Sequence, residues 1–377
     1  MRTPFNIPLL SGKEVPILTE LIKANKFCGD GAYTKECNKI LEQLTGCNKV
    51  LLTTSCTHAL EMSALLQNIK QGDEIIMPSF TFVSSANSFV LRGAKIIFVD
   101  IDPLTMNINA ELIEEAITVR TKAVVIMHYG GISCQMDRII TIAQKYSLCI
   151  IEDAAQCIDA YYENRHLGTM GDFGTISFHE TKNIHCGEGG ALLINKKGQE
   201  DRAEILREKG TDRSKFIAGL IDKYTWVDIG SSYLPSEFNA AVLISQLQKV
   251  KEVTNKRLLL WERYNQNLYN LKIQGYIELP FVPEYSTHNA HLYYIKCKNG
   301  QERASLIEYL KKNKIQASFH YIPLHSSPAG LHFGSFVGAD MFTTKESERL
   351  LRLPLYYLLS PGEVDRISEM VKSFYEQ

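Results

Sequence analysis

Short, unbroken apolar runs recur through the first half of this chain: Val50–Thr53, Glu74–Pro78, Lys95–Asp100, Ala123–His128, Leu148–Glu152, Thr175–Phe178 and Ala191–Ile194. They are too short for helices and lack the apolar–polar alternation of half-exposed strands. Runs of this kind fit strands covered on both faces, as in a parallel sheet. Between them, helical spacing appears at Thr57–Lys70, Ala110–Thr118 and Met136–Tyr146, with Gly72-Asp73 and Gly93 punctuating the connections. The alternation predicts an α/β fold with a large, mostly parallel central sheet.

The pattern changes near Ser236. Ser236–Leu247 opens a helical stretch predicted to continue through Trp261 and Tyr264. Ala290–Cys297 then reads as a strand and Gln301–Asn313 as a helix, and a last helix follows Ser360-Pro361. We therefore expect a large domain over 1–250 and a smaller C-terminal α/β domain over 251–377. A chain of 377 residues can bury two such cores.

Charge narrows the partners. The formal net charge is −1, which gives no global field toward nucleic acid or anionic membranes, so neither is expected as a partner. Any phosphate must then be held by local groups. The nine cysteines show no CxxC pair or metal-type spacing, so reduced thiols, a cytoplasmic location and no metal are expected. The N-terminal segment Met1–Leu10 lacks the apolar centre of a signal peptide, and no apolar run is long enough to cross a bilayer.

Candidate chemistry concentrates in residues 172–191. Ser177 ends an apolar run, Lys182 follows five residues later, and the glycine-rich turn Gly187–Gly190 leads into the next run. Lysine normally titrates at about 10.4 and is a poor nucleophile while protonated; burial lowers that value and frees the amine to bond an aldehyde. Alone, a loop lysine reads as a surface residue. Asp153 stands at the end of a predicted buried strand, where open α/β sheets bind ligands, and a carboxylate there can pair with a protonated pyridine ring. It can equally cap a following helix. Gln156, one short turn on, is placed to pack against such a ring. Ser55, Cys56 and Thr57 lie between a strand and a helix, where free amides and the helix dipole favour a phosphate, with the Ser177 hydroxyl completing the cradle. Simple helix capping is the plainer alternative. Phe82, preferred over Phe80, is the candidate to stack on the ring. Together these groups point to pyridoxal 5'-phosphate.

In order along the chain, these motifs resemble those of the DegT/StrS sugar-nucleotide aminotransferases: the Ser55–Thr57 turn, Pro78-Ser-Phe-Thr-Phe-Val83, Phe98–Pro103, His128-Tyr-Gly-Gly131, Glu152-Asp-Ala-Ala-Gln156, Ser177–Lys182, Gly187–Gly190 and Leu353-Pro-Leu355. The resemblance implies a type I, aspartate-aminotransferase-like fold. Lys182 would be the catalytic residue, Asp153 would keep the ring cationic, and the site would lie at a homodimer interface. Cys56 replaces the glycine usual in the family's phosphate turn. Ser232, in Gly230-Ser-Ser-Tyr-Leu234, stands where the family places an asparagine that reaches the partner subunit's cofactor phosphate. These departures resemble a branch that serves enterobacterial common antigen synthesis. That branch implies transfer from L-glutamate to C4 of dTDP-4-keto-6-deoxy-D-glucose, giving an amine of galacto configuration and 2-oxoglutarate. A C3 amine or the gluco epimer is the near alternative.

For the nucleotide, the basic loop carrying Lys209, Arg213 and Lys215 ahead of Tyr224 and Trp226 offers cations and aromatic faces. A solvated loop explains it equally well. His325 is a candidate for the sugar, with a structural role as plausible. A non-catalytic module with the same fold is a further reading. A nicotinamide enzyme is disfavoured by the lack of G-x-G-x-x-G after the first strands.

Overall fold

A computed structural model describes residues 2–376. Its framework is an eight-stranded sheet formed by β1 (Lys49–Thr53), β2 (Glu74–Pro78), β3 (Lys95–Val99), β4 (Thr121–Met127), β5 (Cys149–Asp153), β6 (Phe173–Ser177), β7 (Gly190–Ile194) and, from far along the chain, β9 (Gly334–Phe336). The spatial order is β1-β7-β6-β5-β4-β2-β3-β9, with only β7 antiparallel to its neighbours.

The unbroken apolar runs reflect cover on both faces. Ile75, Met77, Ile96, Phe98, Val125 and Ile151 join one core cluster with the helix Cys56–Leu66. Their strand neighbours Ile76, Ile97, Val99, Val124, Ile126 and Ile150 join a second cluster with the helix Met136–Tyr146. Successive residues of a strand point to opposite faces, so both sets must be apolar.

Two predicted helices differ from the structure. Ala110–Thr118 forms two short 3-10 turns, Ala110–Leu112 and Glu114–Ala116, each too short to bury a helical face. The stretch from Ser236 to Tyr264 is two helices, Glu237–Leu247 and Val250–Ile273, broken at Gln248-Lys249. Leu243, Leu247, Val250 and Val253 pack with the sheet domain, whereas Leu260 and Tyr264 pack in the C-terminal core. The second helix passes from one core to the other between Val253 and Leu260.

That C-terminal core gathers residues between Leu260 and Val371 around an antiparallel pair, β8 (Tyr293–Lys296) and β10 (Leu350–Leu353). Helices Gly300–Lys312 and Pro361–Tyr375 cover it, the latter capped by Ser360 as its sequence predicts. Two segments cross a division at residue 250. β9 pairs in parallel with β3, and Thr3 forms a bridge with Ile315 while Phe5 N donates to Gln316 Oε1 at 3.2 Å.

Candidate active site

The sheet register assembles the site. At one edge Gly190 of β7 pairs with both Thr53 of β1 and Ser177 of β6, Thr175 of β6 pairs with Asp153, and Asp153 pairs with Met127 of β4. The carboxyl ends of these parallel strands therefore open into one crevice, where such sheets bind ligands. Gly190 is required by close approach: a Cβ there would lie 2.3 Å from Cys56 N and push the Ser55–Thr57 turn away. The crevice is a cavity of about 780 Å³, closed from the C-terminal side by His291, His320, Tyr321 and Arg352 and from the N-terminus by Phe5 and Asn6. That volume lies within the range of small-molecule and cofactor sites.

Eight sequence-chosen residues line it: Ser55, Cys56, Thr57, Phe82, Asp153, Gln156, Ser177 and Lys182. Ser55 is the extended N-cap of Cys56–Leu66 and accepts from His58 N at 3.1 Å. Capping leaves the first amides of an 11-residue helix facing the cavity with no acidic residue in the first turn, a setting suited to a phosphate. Thr57 Oγ1 pairs with Ser84 Oγ at 2.8 Å. Burial raises the Cys56 thiol's pKa, and the neighbouring Asp153 charge adds to the effect, so this side chain is a neutral wall.

Asp153 is buried, and its carboxylate accepts from Ser85 Oγ (2.6 Å) and Ala155 N (3.2 Å). The sequence left open a capping role; the Ala155 contact is a local turn, and no helix begins there. Gln156 is fixed at both ends, accepting from Gly130 N at 2.7 Å and donating to Tyr321 OH at 3.2 Å. Phe82 is 52% exposed at the cavity rim, whereas Phe80 is buried against Tyr129 and Tyr321. Lys182 lies in the turn after β6, its N–H donating to the His179 carbonyl. Burial of its ammonium lowers its pKa, while the Cys56 and Asp153 side chains oppose the shift. The result favours the free amine. His291 and His320 beside it are held well below the usual histidine range, chiefly by burial, and are neutral near pH 7.

The remaining sequence candidates lie elsewhere. Arg213 pairs with Glu208 at 3.3 Å and Lys215 with Asp201 at 3.1 Å, so the loop's cations are already matched within the chain. Tyr224 packs on Phe216, and Trp226, 77% exposed, donates its Nε1–H to the Asp228 carbonyl. None of the four lines the cavity of its own chain. Ser232 is exposed and also outside it, in a bridge with Glu208. His325 lies outside the cavity lining and is engaged within the chain: Nδ1 bonds Ser79 Oγ at 2.7 Å, Nε2 faces Asp340 at 3.2 Å, and the ring packs on Phe336. Sequence reasoning missed Tyr321 and Arg352. Tyr321 stands four residues before His325 and Arg352 immediately before Leu353-Pro-Leu355, but local spacing gives no sign that these segments close the crevice.

Beneath Asp153, Glu152 fixes the strand end. Its fully buried carboxylate meets His128 Nε2 at 3.0 Å and accepts from the amides of Gly168 (2.7 Å), Met170 (2.6 Å) and Gly171. Burial alone would raise its pKa, but the hydrogen bonds and charge of His128 and the loop amides hold it below the ordinary 4.5. A carboxylate depressed in the folded state contributes stability above its unfolded pKa and loses it as pH falls through the lower folded value. Glu152→Gln is therefore expected to destabilise the fold by about 2–4 kcal/mol at pH 7. In denaturant titrations the gap to the parent protein should narrow as pH falls below the ordinary carboxylate range. A constant gap would show that the ionised group is not the source.

Residues 9–372 match the DegT/DnrJ/EryC1/StrS aminotransferase family. The spore coat polysaccharide biosynthesis protein SpsC of Bacillus subtilis is 32% identical over 377 residues, covering 98% of this chain and 96% of that protein. The aminotransferase TlmJ of Streptoalloteichus hindustanus superposes with a TM-score of 0.92 at 26% identity, covering 100% of this chain and 99% of that one. The sugar aminotransferase Spr1654 of Streptococcus pneumoniae in its PLP form superposes with a TM-score of 0.90 at 25% identity, again covering 100% and 99%.

Proposed function

Because this chain belongs to the DegT/DnrJ/EryC1/StrS aminotransferase family and has its type I α/β fold, we propose that it is a dTDP-4-amino-4,6-dideoxygalactose transaminase. It moves the amino group of L-glutamate to C4 of dTDP-4-keto-6-deoxy-D-glucose in the cytoplasm, as a homodimer, toward enterobacterial common antigen or a related surface polysaccharide. SpsC is named for polysaccharide biosynthesis, which supports the sugar-nucleotide class. The observation that carries the catalytic reading is the convergence of Lys182, Asp153 and the Ser55-capped helix N-terminus on one cavity. Exposure of Leu220 (73%), Tyr224 (49%) and Trp226 (77%) supports association with a second copy.

The residues present fit pyridoxal phosphate: an anion site at Ser55–Thr57, an acid at Asp153, a shelf at Gln156 and an amine at Lys182. Bound there, the cofactor supplies an aldehyde that takes up the amino group and a cationic ring that accepts the electron pair left by a departing Cα proton. Asp153 would accept a hydrogen bond from the protonated ring nitrogen and keep it charged. Lys182 Nζ accepts the donor's Cα proton and later returns one to the sugar's C4, a two-way role that suits a buried amine with a lowered pKa. The neutral His291 and His320 add no cation beside Lys182.

Incubation with pyridoxal phosphate, L-glutamate and the keto sugar is expected to give an axial C4 amine by NMR. An equatorial C4 amine would replace the proposed product, and turnover of the 3-keto isomer in place of the 4-keto sugar would move the amine to C3.

A further inference from the structure

Lys182 stands on an irregular loop. Residues 178–189, between β6 and β7, form no helix and no strand. Lys182 N donates to the His179 carbonyl and Cys186 N to the Phe178 carbonyl, both at 2.9 Å. The amides of 183–185 donate to no backbone carbonyl among the described residues. Farther along, Ile184 packs in the core with residues of β1 and β7, and His185 Nε2–H donates to the Leu9 carbonyl at 2.7 Å. The anchor next to the lysine is the side chain of Asn183.

Asn183 is 3% exposed and uses both ends of its carboxamide. Nδ2 donates to the Asn289 carbonyl at 3.0 Å, and Oδ1 meets His291 Nδ1 at 3.1 Å. A carbonyl can only accept, which sets the amide orientation, so the neutral His291 carries its proton on Nδ1. The receiving segment is itself braced. Asn289 is fully buried and donates Nδ2 to the Gln156 and Ile158 carbonyls at 2.9 and 2.7 Å. Arg257, from the helix Val250–Ile273, donates to the Ala290 carbonyl at 3.0 Å and to the His291 carbonyl at 2.6 Å. Ala290 has a φ of +50°, a left-handed conformation that an alanine keeps only when its surroundings hold it.

We infer that Asn183 is a positioning residue: it ties the backbone beside Lys182 to the braced 289–291 segment, so that Nζ works from one fixed origin in both half-reactions. The inference rests on Lys182 as the transferring amine and adds what holds it in place.

The chemistry makes this demand. Lys182 bonds an aldehyde at one stage and carries a proton at another, so its side chain has to swing while its Cα stays still. No ladder holds a loop residue, and a misplacement of about 1 Å can lower a rate about a hundredfold. Because Asn289 also holds the Gln156 carbonyl, the lysine and the shelf at Gln156 are referenced to one point. Asn183 does not line the cavity, so its effect on rate has to pass through its neighbours.

Asn183→Ala removes both bonds. Asn183→Asp keeps the volume and the acceptor and removes the donor. Both variants are loaded with pyridoxal phosphate, checked for parental circular dichroism, reduced with borohydride and mapped; the label is expected on Lys182, as in the parent. Asn183→Ala is expected to react about 100-fold more slowly at saturating L-glutamate and, in the pyridoxamine form, at saturating keto sugar, with half-saturating concentrations changed less than about threefold. Asn183→Asp should lie between it and the parent. Hydrogen–deuterium exchange, with and without the cofactor, should quicken in peptides from 178–189 and stay unchanged in β4 and β5. Saturating rates within threefold of the parent, or unchanged exchange in that loop, would overturn the inference. So would a loss carried by the half-saturating concentrations, which would place Asn183 in substrate binding. If Asn183→Ala does not fold, the glutamate rate and the exchange of Asn183→Asp decide by the same criteria. A parent protein without label on Lys182 would instead remove the catalytic reading, which no result on Asn183 can do.

Discussion

Lys182→Ala is expected to abolish turnover, with a loss of about ten-thousandfold or more, and with it the visible absorbance of a lysine-bound aldehyde cofactor. The magnitude follows from two functions resting on one nitrogen: it bonds the cofactor, and it moves the proton in both halves of the cycle. No neighbour is placed to replace it. His291 and His320 have pKa values pushed down by burial and make other contacts, His291 Nδ1 to Asn183 Oδ1 and His320 Nδ1 to Tyr129 OH, both at 3.1 Å. The variant should fold normally, because Lys182 makes no side-chain ion pair among the described residues. Steady-state assays with glutamate and the keto sugar, together with the absorbance spectrum, check both parts. Turnover near the parent rate would remove the lysine from the chemistry.

The second large effect concerns Asp153. Asp153→Asn keeps the shape of the strand end, and the Ser85 and Ala155 contacts to the side chain can persist in part. What is lost is the negative charge that would hold the ring proton, so the electron sink weakens while the phosphate cradle at Ser55–Thr57 is untouched. The expected result is a rate lower by about 10²–10³ with the cofactor still bound. Kinetics together with cofactor content after gel filtration separate loss of rate from loss of binding. Unchanged kinetics would contradict the role; loss of cofactor without loss of intrinsic rate would make the residue a structural support.

The sheet domain was legible because its signal is local. A strand covered on both faces must be apolar throughout, and Glu74–Pro78 and Lys95–Val99 carry that signature within five residues each. The large-domain half of the site was legible for the same reason: Ser55, Asp153 and Ser177 stand at or just beyond strand ends, and parallel strands bring their carboxyl ends together. The other wall was not legible. Tyr321 and Arg352 reach the cavity only because β9 returns to the edge of the first sheet and β10 pairs with β8, contacts that span long stretches of chain and leave no periodic trace. For His325 the sequence left a sugar contact and a structural role equally open; in the fold its ring is engaged by Ser79, Asp340 and Phe336, contacts that local spacing does not show. For the basic loop, spacing shows the cations and does not show that Glu208 and Asp201 pair with them within the chain.

The most direct test is chemical. The protein loaded with pyridoxal phosphate is reduced with borohydride, digested and mapped by mass spectrometry. The account predicts one cofactor-labelled peptide, modified at Lys182. Label on another lysine, or a reduced protein with no label at all, would contradict it.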